Sequence, residues 1–278
     1  MFLSLTNMGS MDLKRIPLAA APSRLKRVTA GAVTLLLVGS SCSQGETTPE
    51  RPQLVRVAVA ANFAATLEAL TRRFQEETGI AVEVSLGSTG QLYAQIRNGA
   101  PYDVFLAADV ARPRLLEETD AAVPGSRFTY AVGRLVLYAP RWDSLRSGDI
   151  ELREREFQHL AIANPLTAPY GTAAQQVLER LGLWHGLQDR IVRGESVGQA
   201  LQFVHSGAVE VGFVALSQVI SLDATEYWII PDSMHEPIRQ DAVLLRRGDA
   251  NPAAKAFLDF LRSHAGRQVI ANFGYTQP

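Results

Sequence analysis

The chain has 278 residues, 47% of them apolar and 20% charged, with a net charge of −1 and a single cysteine. That composition fits an ordinary folded protein with enough apolar side chains for one large or two small cores. One cysteine excludes an intramolecular disulfide and a Cys-based metal site.

Residues 1–41 read as a targeting segment. Arg24, Lys26 and Arg27 precede an apolar run from Val28 to Val38, followed by the small residues Gly39, Ser40 and Ser41 and then Cys42. Basic, apolar, then small is the order of a signal peptide, and the run is too short to span a bilayer. Met11 offers a second start for the chain. Cys42 stands where a bacterial lipoprotein is cleaved and acylated; the segment resembles a lipobox with Gly39 in place of the usual Leu. The alternative is a soluble exported protein cut a few residues later. Residues 42–53 read as a polar tether. Residues 42–278 hold 22 Lys and Arg against 27 Asp and Glu, a net charge of −5. That is no nucleic-acid footprint, and an anionic ligand would need local donors rather than bulk attraction.

Leu54–Ala60 is an apolar strand. Phe63, Leu67, Leu70 and Phe74 then recur at helical spacing, and Gly79 closes that helix. A strand at Ile80–Leu86, a short helix through Leu92 and Ile96, a strand at Tyr102–Ala107 and a helix begun near Pro113 complete a parallel β-α-β-α-β series. Phe128–Tyr138 reads as one long strand carrying the chain into a second βα series. That series is strand Leu160–Asn164, helix Gly171–Leu181, strand Arg190–Arg193, helix Ser196–His205 and strand Val209–Val214. Strands at Tyr227–Ile230 and Ile238–Leu245 follow, the second a natural return crossing. Asn251-Pro252 caps a helix through Phe257, Leu258 and Leu261, and a last helix covers about Arg267–Phe273. Two βα lobes joined by two crossing strands make a cleft that can close on a ligand.

One feature recurs four times: a strand runs into small polar residues and a helix starts at once. The junctions lie at Ala60–Phe63, Gly87–Gly90, Asn164–Thr172 and Gly194–Gly198. Each helix start presents unpaired N–H groups and the positive end of a dipole, a ready anion site at the carboxyl edge of an α/β sheet. Ala61–Asn62, Gly87–Gly90 and Pro169–Thr172 contain no Lys, Arg or acid. Such a site suits a small anion held by neutral hydrogen bonds; the same residues also read as ordinary helix caps.

At these junctions the chain resembles the periplasmic molybdate-binding proteins that feed ABC importers. The resemblance is carried by Ala60-Ala61-Asn62-Phe63, Gly87-Ser88-Thr89-Gly90, Asn98 through Phe105, Pro124 through Ala131, Ala168-Pro169-Tyr170-Gly171, Ser196-Val197-Gly198-Gln199 and Gly212-Phe213-Val214-Ala215. It runs from about Val55 to Tyr275, with the motifs in family order. It implies an α/β, two-lobed class II periplasmic binding fold, with lobe I at 54–133 and 238–278 and lobe II at 134–237. It implies a tetrahedral oxyanion, molybdate or tungstate, as ligand, no cofactor and no direct cation ligand. By position the contacts fall at Ala61, Asn62, Ser88, Tyr170 and Val197. Asn62 would donate its side-chain amide or its N–H, Ser88 its hydroxyl and N–H, and Tyr170 and Val197 mainly backbone N–H. Some members carry a hydroxyl where Ala61 stands, and others a Tyr where Ala215 aligns; Tyr170 supplies that donor in a subgroup. The partners implied are a membrane permease and its cytoplasmic ATPase, with a monomeric, extracytoplasmic receptor that performs no chemistry.

Two other readings stay open on the residues alone. Sulfate or another tetrahedral oxyanion would use the same neutral chemistry, leaving cavity size to discriminate. Gly194-Glu195-Ser196-Val197-Gly198 also matches G-x-S-x-G, and Ser196, Asp241 and His264 stand in the chain order of an α/β-hydrolase triad. No HGGG-like segment precedes Ser196. The five histidines show no metal-ligand spacing, and Asp103 and Asp109 read as cap or loop residues.

Overall fold

The computed structural model describes residues 53–142, 145 and 147–277. The expected signal segment, Cys42 and nearly all of the tether lie outside the described residues. Strand β1 (Leu54–Ala60) leads through a single 3-10 turn at Ala61–Phe63 into α1 (Ala64–Thr78), which Gly79 ends at φ 70°. Then come β2 (Ala81–Gly87), α2 (Thr89–Arg97), β3 (Val104–Leu106) and α3 (Ala111–Glu118). Strands β4 (Phe128–Gly133) and β5 (Leu135–Tyr138) are followed by α4 (Gly148–Glu154), β6 (Leu160–Ala163), α5 (Pro169–Arg180), β7 (Ile191–Gly194) and α6 (Val197–His205). The chain continues through β8 (Val211–Ala215), α7 (Leu216–Val219), β9 (Tyr227–Ile229), β10 (Ile238–Leu244), α8 (Pro252–Arg262) and α9 (His264–Asn272).

These strands form two five-stranded sheets, ordered β2-β1-β3-β10-β4 and β7-β6-β8-β5-β9. In the first, the sheet of lobe I, β1 runs parallel to β2 and β3, while β10 is antiparallel to β3 and β4. In the second, the sheet of lobe II, β6 is parallel to β7 and β8, and β5 is antiparallel to β8 and β9. The apolar period of α1 buries Leu67, Leu70 and Phe74, and Phe74 meets the Phe257 ring of α8 edge-on at 5.4 Å. Lobe II packs Val177 and Leu178 of α5 and Val204 of α6 around the buried β6 and β8.

The long strand expected over Phe128–Tyr138 is two strands. Its first half pairs with β10 in one sheet and its second half with β8 and β9 in the other, so the chain turns between Gly133 and Leu135. β3 spans three residues where six were expected, and α4 and α7 were not anticipated. The helices after Pro165 and Ser263 begin earlier than read, at Pro169 and His264.

Candidate functional site

All four junctions meet. Ala60, Ala61 and Asn62; Gly87, Ser88 and Thr89; Ala168, Pro169 and Tyr170; and Ser196 and Val197 line one small cavity, with Ala108, two residues past β3, completing it. The five residues picked from the sequence, Ala61, Asn62, Ser88, Tyr170 and Val197, are therefore together. The first two junctions come from lobe I and the last two from lobe II.

Accounting for each helix start shows which donors are left over. In α5, Pro169 has no N–H, and Gly171 and Thr172 both donate to the Ala168 carbonyl (2.9 and 3.2 Å). The Tyr170 N–H is the one remaining in that turn. In α6, Gln199 N–H donates to Ser196 Oγ (3.3 Å) and Ala200 N–H to the Ser196 carbonyl (3.1 Å). Val197 and Gly198 keep theirs. Around α2 a capping box forms: Ser88 Oγ accepts from Gln91 N–H (3.4 Å), and Ser88 N–H donates to Gln91 Oε1 (3.2 Å). The Ser88 N–H expected for the ligand is thus used by its own helix, and the hydroxyl proton is what Ser88 retains.

Asn62 is likewise narrower than the sequence allowed. Its amide Nδ2 donates to Gln240 Oε1 (2.9 Å) and to the Tyr275 hydroxyl (3.0 Å), both away from the junction. With two partners for its two protons, the side chain has no donor to spare, and the backbone N–H is what Asn62 offers. Ala215, the other position in doubt, is fully buried at the end of β8 and does not line the cavity.

Among the described residues, no formally charged one lines the cavity. Its one titratable group is the Tyr170 hydroxyl, which burial pushes well above the ordinary tyrosine range, with the neighbouring Tyr275 and Tyr130 adding to the rise. The hydroxyl is neutral at any physiological pH. Positive potential comes from converging helix dipoles instead of side-chain cations. The two walls are bridged above the cavity by Gly90 N–H to the Thr167 carbonyl (2.8 Å), Gln91 Nε2 to Glu195 Oε2 (2.9 Å) and Arg112 Nη2 to the Leu166 carbonyl (3.2 Å).

The hydrolase arrangement is not assembled. Ser196 Oγ caps α6, Asp241 is held by Arg127 (2.6 Å) and Thr129 (2.7 Å), and His264 is exposed at the start of α9. Asp103 accepts from Arg56 N–H and Asn251 Nδ2, and Asp109 pairs with Arg112, both structural roles. Sequence reading missed Ala108 in the lining. Ala108 was findable, since it follows the third parallel strand of the first series. Gln240, Tyr275 and Ser217, which buttress Asn62 from behind, gave no local signal.

The chain and its fold have counterparts among known proteins. Residues 55–276 match the family described as bacterial extracellular solute-binding protein. The chain belongs to that family. Among its relatives, the molybdate-binding protein ModA of Azotobacter vinelandii is 49% identical over 224 residues, 80% of this chain and 89% of the relative. ModA of Rhodobacter capsulatus is 43% identical over 247 residues, 88% of this chain and 95% of the relative. The solved periplasmic molybdate-binding protein of Azotobacter vinelandii superposes with a TM-score of 0.77 at 42% identity, covering 81% of this chain and 99% of that one. As a solute-binding protein, the chain has its two-lobed fold, and the cavity lies where the lobes of that fold meet.

Proposed function

We propose that this chain is an extracytoplasmic receptor for molybdate, and for tungstate of nearly equal size, that closes on the anion and delivers it to an ABC permease driven by a cytoplasmic ATPase. The observation that carries this reading is the convergence of four helix starts on one cavity without a formal charge. A tetrahedral dianion offers many acceptor sites, which fixed N–H and O–H donors satisfy without counter-charge. We assign the Ser88 hydroxyl and the N–H groups of Asn62, Tyr170, Val197 and Gly198 as donors, with Ala61 contributing shape alone. In this reading lobe I is 54–133 with 238–278 and lobe II is 134–237. The receptor is a monomer, does no chemistry of its own, and is tethered through an acylated Cys42. The kinship with molybdate-binding proteins supports the choice of anion.

Calorimetric titration of the purified protein with molybdate, tungstate, sulfate and phosphate tests this. One-to-one binding of molybdate and tungstate without sulfate is expected. Sulfate bound as tightly as molybdate would defeat selection by size and leave a general oxyanion receptor. Mass spectrometry of the protein recovered from its native membrane decides the Cys42 lipid.

A further inference from the structure

Gln240 lies outside the cavity, is 0% exposed, and sits at a bulge where the register of β10 against β4 shifts between Gln240 and Asp241. Its Oε1 accepts from Asn62 Nδ2 (2.9 Å) and from the Tyr130 hydroxyl (3.0 Å), and its Nε2 donates to the Tyr170 hydroxyl (3.2 Å). Two donors on the oxygen fix the amide in one orientation. Asn62 belongs to the lobe I wall of the cavity and Tyr170 to the lobe II wall. One side chain therefore spans both walls from behind. A second tie shares the same anchor: the Ser217 hydroxyl of lobe II donates to the Asn62 carbonyl (2.8 Å), with the Tyr275 hydroxyl 3.0 Å from that carbonyl and 2.9 Å from Ser217 Oγ. Asn62 is thus held by its amide and its carbonyl at once.

We propose that Gln240 is a positioning residue for anion selection: its amide holds the two cavity walls at one separation and so sets the oxygen radius that the closed site accepts. This rests on the oxyanion reading above and goes beyond it by naming what fixes the cavity size. A bulge residue suits the task, because the shifted register lets Gln240 enter the buried cluster while Asp241 reaches Arg127 and Thr129. Removing the amide takes one partner from Asn62 Nδ2, which keeps Tyr275, from the Tyr130 hydroxyl, which keeps the Ala107 carbonyl, and from the Tyr170 hydroxyl; the tie between the walls is lost and they settle at another spacing.

The test compares the full chain with Gln240→Met and Gln240→Glu, titrating each with molybdate and sulfate. Gln240→Met is expected to narrow the molybdate-to-sulfate affinity ratio by about tenfold or more, an effect that general destabilisation, lowering both affinities together, does not produce. Gln240→Glu gives a second signature. A protonated carboxyl donates to Tyr170 and accepts from Asn62 as the amide does, whereas an ionised one repels the dianion. The other titratable groups facing that position are the Tyr130, Tyr170 and Tyr275 hydroxyls, all held protonated by burial, and Asp241, which is paired with Arg127. Molybdate affinity of Gln240→Glu should therefore rise as pH falls from about 8 to about 6, because burial raises a carboxyl pKa, while the unmodified protein stays flat. Wild-type selectivity in Gln240→Met overturns the proposal, and so does a pH-independent, wild-type affinity in a folded Gln240→Glu. If Gln240→Glu does not fold, Gln240→Met alone decides. An unmodified protein that binds neither anion would instead overturn the oxyanion reading itself.

Discussion

Ser88 uses one hydroxyl oxygen to cap α2 and keeps its proton for the cavity, so replacing it separates two effects. Ser88→Ala should weaken molybdate binding by about tenfold to a hundredfold, the range for a hydrogen bond to a charged partner. The same change should lower unfolding stability by only about 1 kcal/mol, the usual cost of a lost cap. Calorimetry against chemical denaturation distinguishes the two losses. Tyr170, the single titratable group of the lining, is raised by burial, so molybdate affinity should be flat across neutral and mildly alkaline pH. A Kd that changes severalfold there would place an unrecognised charge in the site. Tyr130, Tyr170 and Tyr275 are all buried and raised, Tyr275 to about 12. Unfolded tyrosines release their protons near 10.0, where the folded ones still hold theirs. The unfolded state then binds fewer protons, and stability falls with rising pH. The contribution is fully present below that value and is lost as pH climbs toward about 12, which circular dichroism on alkaline titration would record. The four junctions were legible in sequence because small polar residues between a strand and a helix leave free donors, and the family resemblance singled out Ser88, Asn62 and Tyr170 within them. The direction of the Asn62 amide was not, since its partners Gln240 and Tyr275 lie 178 and 213 positions away.

At the scale of elements, the starts of α2 and α6 approach the opposite lobe through glycines. A Cβ on Gly90 would lie 3.0 Å from the Thr167 Cα and carbonyl oxygen, and one on Gly198 would lie 3.3 Å from Ala61 Cβ. Gly90→Ala should leave the melting temperature of the ligand-free protein unchanged or slightly raised, because alanine is the better helix former. It should weaken anion binding tenfold or more, since backbone across the interface cannot yield to the new methyl. Gly198→Ala meets a side-chain methyl at a longer distance and should cost less. Equal affinities for Gly90→Ala and the parent protein would show that the lobes need not meet there. The periodic helices α1 and α8 and the alternation of β1 were readable, because a single buried face imposes its period on the sequence. The α4 and α7 segments, of seven and four residues, are too short to show a period. The break between β4 and β5 was hidden because each half is apolar, and nothing local says that the halves join different sheets.

For the molecule as a whole, ligand and closure are one equilibrium. Molybdate at about a hundred times its Kd should add about 2.7 kcal/mol of stability, seen as a higher melting temperature that sulfate at equal concentration does not produce. Residues 42–278 carry a net −5, so association of a dianion works against a weak general repulsion. Raising ionic strength should speed association slightly and change affinity little, the opposite of a site built on Lys or Arg. Stopped-flow tryptophan fluorescence, with Trp142, Trp184 and Trp228 as reporters, measures this.

The sequence by itself determined most of the local grammar: most of the strands, the longer periodic helices, and that the junctions carry small neutral residues. Those follow from short-range sterics, capping and the periodicity of burial, all written within about ten residues of each other. The tertiary structure alone decided that four separate helix starts face one cavity, that Asn62 spends its amide on Gln240 and Tyr275, and that Ser88 spends its N–H on Gln91. It also decided that a glutamine on the return strand ties the two walls together. Hydrogen bonds between residues far apart in the chain leave no periodic trace, because each requires only one polar side chain at each end, and the fold chooses which ends meet.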